Sequence, residues 1–177
     1  MKICELLREQ DIVLGIPAKG KRSALARVAA SLGERVGRGQ GVALTALLRR
    51  ERLGSTAVGH GVAIPHARLD AISAPAAMVA TLQRPVWFDA PDDEPVDVLL
   101  ALLWPTADTE GFLPALSRFC RILRHPELRT RLRASGSPAE AYAWIQSFEG
   151  RNWARSGGNA SRTGRARLPS LLREARA

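Results

Sequence analysis

Residues Gly54 to Arg68, GSTAVGHGVAIPHAR, gather the chain's most chemically capable side chains into one short stretch. His60 and His66, two of the three histidines, lie there with Ser55, Thr56, Arg68 and three of the fifteen glycines. Pro65 fixes its own φ and biases Ile64 toward extended backbone, so His66 leaves a chain whose direction is largely set. An imidazole aimed in this way can be a nucleophile, a proton shuttle or a metal ligand. Gly59 and Gly61 can offer backbone N–H groups to an anion, and the hydroxyls of Ser55 and Thr56 can complete such a cradle. The same residue types also make ordinary turns. Just upstream, Arg49, Arg50 and Arg52 end a helical pattern, where a guanidinium can grip an anion through paired donors or simply complement the helix dipole.

The surrounding chain supplies elements to hold these groups. A short helix around Ile3, Leu6 and Leu7 precedes a strand over Asp11–Ile16, and Pro17 to Arg22 read as a loop. Leu25, Val28, Ala29, Leu32 and Val36 share one helical face, and Leu44, Leu47 and Leu48 mark a second short helix. Ala76–Leu82 and Val86–Phe88 read as two strands, separated from VDVLLALLW (Val96–Trp104) by the acidic turn PDDEP. That apolar run, bounded by Pro95 and Pro105, suits a strand covered on both faces. Three helices follow. One carries the stripe Phe112, Leu116, Phe119, Cys120 and Leu123, with Asp108 or Thr109 as its cap. The next starts at Pro126. The last opens with the capping box Ser137–Glu140 and runs through Ile145. Helices, then strands, then helices predict an α/β fold, a three-layer sandwich with a mixed sheet flanked by helices on both faces.

The 177 residues carry a net charge of +9. Residues 151–177 hold seven arginines and one glutamate, so most of the excess lies there. This gives two parts: a folded domain over 1–150 and an Arg/Gly/Ser-rich, flexible tail over 151–177. A basic tail can contact nucleic acid or an anionic surface, but without a reading helix or regular aromatic interleaving nucleic acid is not the expected partner. Cys4 and Cys120 fit no metal-ligand spacing and read as reduced, half-buried thiols. There is no secretory leader and no apolar run near the roughly 18 residues of a membrane helix, so a cytoplasmic protein is expected.

The segment ERLGSTAVGHGVAIPHARLD resembles the active-site signature of enzyme IIA proteins of the phosphoenolpyruvate-dependent phosphotransferase system, most nearly the nitrogen-regulatory type, with the fructose and mannitol IIA domains as relatives. The resemblance extends over roughly residues 5–148. It implies that His66 is phosphorylated by a small HPr-like phosphocarrier and that the phosphorylation state signals to regulatory targets such as sensor kinases or potassium transporters. Such a protein is a carrier in a relay rather than an independent turnover enzyme. No cofactor and no metal is implied. Arg50 matches a functional arginine of relatives and is the expected charge-stabilising partner. Arg68, Ser55, Thr56, Gly59 and Gly61 are the expected phosphoryl-binding groups. The alternatives are a sugar-transport IIA that passes the group to a IIB domain, and a binding module that has lost phosphotransfer.

One position departs from the pattern. Several IIA proteins have a second histidine where this chain has Phe112, so that role does not carry over; His60 could substitute in part, though an exposed loop residue is the simpler reading. Asp89, Asp92, Asp93 and Glu94 have no histidine at ligand spacing and read as a solvated loop. His125 reads as a helix cap or surface residue. Trp87, Trp104, Phe112, Phe119 and Trp144 read as core, and Trp153 as exposed.

Overall fold

VDVLLALLWP, Val96–Pro105, forms the central strand, and each of its residues except Asp97 is buried. A strand flanked by neighbours on both edges and by helices on both faces has no solvated side, so a continuous apolar run is the stable solution. The computed structural model describes residues 3–70 and 72–157, with 152–157 as helical backbone only. Trp153 and residues 158–177, most of the expected tail, lie outside the residues whose side chains are described.

The strands are β1 (Ile12–Ile16), β2 (Ala57–Gly59), β3 (Val62–Ala63), β4 (His66–Leu69), β5 (Ala76–Val86) and β6 (Val96–Pro105). They form one mixed sheet in the order β1-β5-β6-β3-β2, with β4 also on β6. The helices are α1 (Ile3–Leu6), α2 (Lys21–Arg35), α3 (Gly39–Arg52), α4 (Phe112–Leu123), α5 (Pro126–Ala134) and α6 (Pro138–Gly157). Leu25, Val28, Leu32 and Leu47 of α2 and α3 pack on one face of the sheet with Leu99, Ala101 and Leu103. On the other face, α1 and α4–α6 bury Phe119, Leu128, Trp144 and Ile145 against Val98, Leu100, Leu102 and Trp104. The expected α/β sandwich with a mixed sheet and helices on both faces is the observed architecture.

The register explains where the site falls. Val62 pairs with Val98 and Ala63 with Leu99; His66 then pairs with Leu102 and Arg68 with Trp104. The offset is constant, so β3 and β4 run as one parallel line along β6. Pro65 accepts the Leu102 N–H through its carbonyl, 2.9 Å, but has no N–H to return, which interrupts the ladder between β3 and β4. Alternation puts His66 and Arg68 on the α4 face, while Ala67 and Leu69 join the core on the α3 face. The partner strand β2 pairs only with β3, so β4 presents its outer edge to the cleft between the two helical layers.

Several element boundaries differ from the sequence reading. Lys21 and Arg22 open α2 instead of lying in a loop, because the Ser23 hydroxyl accepts the N–H groups of Lys19 and Gly20 and caps the turn early. Val86 belongs to β5, which shifts register against β6 between Thr81 and Val86 instead of ending at Leu82. Trp87 is 66% exposed and not core, because its neighbours Val86 and Phe88 take the inward positions. No side chain caps α4 at its N-cap, Gly111; Asp108 instead accepts the N–H groups of Glu110 and Gly111 and the indole N–H of Trp104. The last helix continues past Ile145 to Gly157. At its start Ser137 accepts the Glu140 N–H, while the Glu140 carboxylate takes the Gly136 N–H, one residue earlier than a full capping box requires.

Both cysteines are free and half-buried. Burial and the neighbouring Glu149 carboxylate push the Cys4 thiol up to about 11, which keeps it an unreactive thiol. That carboxylate also accepts the Ile3 and Cys4 N–H groups, fastening the start of the chain to α6.

Phe119→Ala should lower stability by about 3–5 kcal/mol, since the ring is fully buried and leaves a cavity. Trp87→Ala should change it by no more than about 0.5 kcal/mol. Urea denaturation followed by circular dichroism reads both; equal losses would contradict the assignment of Trp87 to the surface.

Candidate active site

His66 is the first residue of β4 and is half-buried at the sheet edge. Its Nδ1 lies 2.8 Å from the Ile64 carbonyl. A carbonyl can only accept, so the proton sits on Nδ1 and the lone pair on Nε2. The Arg50 Nε–H donates to that Nε2 at 2.9 Å, which fits the same tautomer. The two contacts hold the ring from both ends. Burial, with the Arg50 charge adding to it, lowers the His66 pKa below its ordinary 6.5, against the opposing pull of the Ile64 carbonyl and Glu51. The imidazole is therefore neutral at pH 7 with an unprotonated Nε2 whose lone pair accepts from Arg50, the protonation state a nucleophile needs.

Arg50 comes from the last turn of α3, in the layer opposite α4. Its Nη1 donates to the Gly54 carbonyl, 2.9 Å, which closes the turn beyond the helix. Arg68 lies two residues after His66 on the same strand face. Its Nη2 is held by the carbonyls of Thr106, 2.6 Å, and Asp108, 3.1 Å, and its guanidinium lies 5.9 Å from the centre of the Phe112 ring. Phe112 opens α4 and packs against His66 at 5.7 Å between ring centres and against Trp104 at 5.9 Å. His66, Arg50, Arg68 and Phe112, with Arg49, Val42, Leu53 and Asp70, line an open cleft of about 930 Å³. The cleft combines a neutral imidazole, three arginines and a partly apolar rim, an arrangement that can accept an anionic group on nitrogen and neutralise its charge.

The fold brings together His66, Arg50 and Arg68 but not the rest of the expected phosphoryl-binding set. Ser55, Thr56, Gly59 and Gly61 do not line the cleft. Thr56 is buried, and both its N–H, 3.0 Å, and its hydroxyl, 2.6 Å, donate to the Glu51 carboxylate. Ser55 donates its hydroxyl to the Phe88 carbonyl. Gly59 and Gly61 have φ of +88° and +74°, and a Cβ on Gly61 would meet Arg133 Nη2 at 2.4 Å and Asp97 Oδ1 at 2.9 Å. These glycines let the β2–β3 turn pass tightly beneath those groups. The hydroxyls and glycines shape the loop; the arginines line the cleft.

Sequence reasoning missed Glu51. It is buried, takes both Thr56 donors on one oxygen and the Lys21 ammonium on the other at 2.9 Å; Lys21 also reaches Asp89 at 2.6 Å. The only signal was a glutamate between two arginines, which reads as a solvated helix end. The fold also sets His60 beside Asp92 and Glu94, with ligand atoms within 4.8 Å of one another, a proximity the spacing along the chain concealed. All three are exposed. The Asp92 oxygens already accept the His60 and Glu94 N–H groups, which accounts for the grouping without an ion. His125, at the N-cap of α5, packs against Phe148 instead of capping the helix with its side chain.

Fold and site together define a IIA-type protein: residues 5–148 match the family described as phosphoenolpyruvate-dependent sugar phosphotransferase system, EIIA 2, and the chain belongs to it. Within that family it is similar to the nitrogen-regulatory proteins. It is 36% identical over 143 residues to the nitrogen regulatory protein of Bradyrhizobium diazoefficiens, covering 81% of this chain and 94% of that one. It superposes on the crystal structure of nitrogen regulatory protein IIA-Ntr from Neisseria meningitidis with a TM-score of 0.77 at 31% identity, covering 81% of this chain and 98% of that one. It shares its fold with the Escherichia coli mannitol IIA solved in complex with phosphorylated mannitol IIB (TM-score 0.66, 18% identity, 79% of this chain and 96% of that one). No helix among the described residues is long and apolar enough to cross a membrane.

Two outcomes follow from this geometry. Glu51→Ala should cost about 2–3 kcal/mol in urea denaturation, below the 3–5 of a fully buried ion pair because Lys21 keeps Asp89 and some solvent. An unchanged midpoint would show that Glu51 does not hold the loop. The second concerns pH. The folded His66 pKa lies below the unfolded 6.5, so as pH falls below 6.5 the unfolded chain takes up this proton first. The stability His66 contributes is complete above 6.5 and is lost as pH falls through the folded value. Modification of His66 by a small electrophile such as diethyl pyrocarbonate should therefore stay fast below pH 6.5, with an apparent pKa under the ordinary value; an apparent pKa above 6.5 would refute the burial argument.

Proposed function

We propose that this chain is a histidine phosphocarrier with a mainly regulatory role, accepting a phosphoryl group on His66 Nε2 from a small HPr-like protein. The observation that carries this reading is the pair of contacts on one imidazole: Nδ1–H on the Ile64 carbonyl and Nε2 facing Arg50 in an open cleft. The Nε2 lone pair attacks phosphorus in line with the departing nitrogen of the donor. A new N–P bond forms as the donor's bond breaks, and the electron pair of that bond stays with the donor ring. Nδ1 keeps its proton, and the Ile64 carbonyl stabilises the positive charge that the ring gains. Arg50 gives up Nε2 and turns its donors to the equatorial phosphoryl oxygens, tethered by Gly54; Arg68 supports from the far side.

In this reading the protein works in the cytoplasm and its phosphorylation state is read by regulatory targets, sensor kinases or potassium transporters by family analogy. Residues 1–150 are the carrier domain, and the basic stretch 151–177, into which α6 continues as far as Gly157, is an appendage to it. Transfer onward to a IIB domain, as the mannitol complex illustrates for that protein, is the competing fate of the group.

Phosphotransfer from phosphoenolpyruvate through purified general components tests the reading. Wild type, His60→Ala and His125→Ala should carry an acid-labile, base-stable label, and His66→Ala should carry none. Arg50→Ala should slow labelling by roughly ten- to a thousandfold, corresponding to about 1.4–4 kcal/mol of transition-state stabilisation, with Arg50→Lys a partial rescue. Label on His66→Ala would dispose of the proposal; a greater loss in Arg68→Ala than in Arg50→Ala would reverse the two arginines' roles.

A further inference from the structure

Phe112 lines the cleft with a ring that packs against His66 and carries no polar atom. Its ring lies 5.7 Å from the imidazole, backed by the buried Trp104 at 5.9 Å, with the Arg68 guanidinium over it. The backing is firm. The Trp104 indole N–H is bonded to Asp108 at 3.0 Å, Asp108 also caps the Gly111 N–H at 2.8 Å, and Arg68 is held by two carbonyls. The ring is therefore fixed in place.

The consequence concerns what happens after His66 is phosphorylated, so it rests on the carrier reading above. Nδ1 already bears a proton held by the Ile64 carbonyl. When the phosphoryl group leaves, the N–P electron pair returns to Nε2 and the ring is at once the neutral Nδ1–H tautomer, with no proton to be supplied. The leaving group is good by construction, and water is a competing acceptor. In hydrolysis a water oxygen bonds to phosphorus, the P–Nε2 bond breaks, and the water's protons end on the released phosphate. That attack is fastest when a side chain holds the water and takes its proton. Phe112 can do neither. Asp70, the acidic residue lining the cleft, accepts the Thr106 hydroxyl through Oδ1. We infer that Phe112 is a positioning residue that sets the lifetime of the phosphorylated state, packing a dry wall against His66 so that the group persists until a protein acceptor brings its own nucleophile. A long-lived phosphohistidine suits a protein read by its state, in contrast to a fast relay.

The test compares wild type with Phe112→Leu, Phe112→His and Phe112→Gln. Each is phosphorylated through the phosphoenolpyruvate relay and freed of donor proteins by gel filtration, and the decay of phosphohistidine is followed by ³¹P NMR and phosphate-affinity gels. Phe112→Leu, still apolar, should decay within about twofold of wild type, and Phe112→His about tenfold faster or more, through a side chain able to hold water. Phe112→Gln is the second polar variant, needed should the histidine variant fold poorly by circular dichroism. NMR titration of unphosphorylated Phe112→Ala gives a readout that lost stability alone would not move: with the wall gone, the His66 pKa should rise toward 6.5. Equal lifetimes in wild type and both polar variants would overturn the inference while leaving the carrier reading intact, as would a leucine variant as short-lived as the polar ones. Absence of phosphohistidine in wild type would remove both.

Discussion

The buried carboxylate of Glu51 is the interaction on which the arrangement depends. It is 9% exposed, and its two oxygens accept from Lys21 at the start of α2 and from the backbone and hydroxyl of Thr56 at the entry to β2. A carboxylate removed from water must be fully hydrogen-bonded or it destabilises the fold, and here its three donors come from two separate pieces of chain, Lys21 and Thr56. The constraint therefore fixes the end of α3, the LGST turn and the Lys21 end of α2 relative to one another. Arg50 precedes Glu51, and the strand that carries His66 follows the turn. Locating the carboxylate helps to locate both Arg50 and His66.

Once that junction is set, the sheet does the rest. A constant register along β6 carries the chain from Val62 to Leu69, and Pro65 interrupts the ladder just before His66. Because β2 stops at β3, the outer edge of β4 is open. Helices of both layers meet there, Arg50 from one and Phe112 from the other, with the imidazole between them. The site is polar on one side and apolar on the other because it straddles two layers. That asymmetry sets the Arg50 donor at Nε2 and an aromatic ring beside the imidazole.

Much of the fold was legible because its signals are local. The run Val96–Trp104 between prolines, apolar except for Asp97, could only be a doubly covered strand or a buried helix, and its length decided for the strand. The stripes on α2 and α4 and Pro126 at the start of α5 gave their helices for the same reason. Errors arose where a single residue outweighed the pattern. Ser23 started α2 early, and strict alternation put Trp87 outside although tryptophan is a core residue by type. Val86 extended β5 across an irregular register that no periodicity could reveal.

In the site, the sequence by itself determined which residue could be the nucleophile and roughly how its backbone would run, because Pro65 and the glycines act on their nearest neighbours. It also determined that an arginine cluster would stand close before the loop. Tertiary structure alone decided which arginine reaches Nε2, that Nδ1 is held by the Ile64 carbonyl, and that Thr56 serves Glu51 instead of an anion. It alone set Phe112 on the imidazole, 46 residues further along the chain. Hydrogen-bond partnership depends on distance and direction between elements, and those are set by sheet register and helix packing, which couple residues far apart in the chain and leave no trace in local spacing.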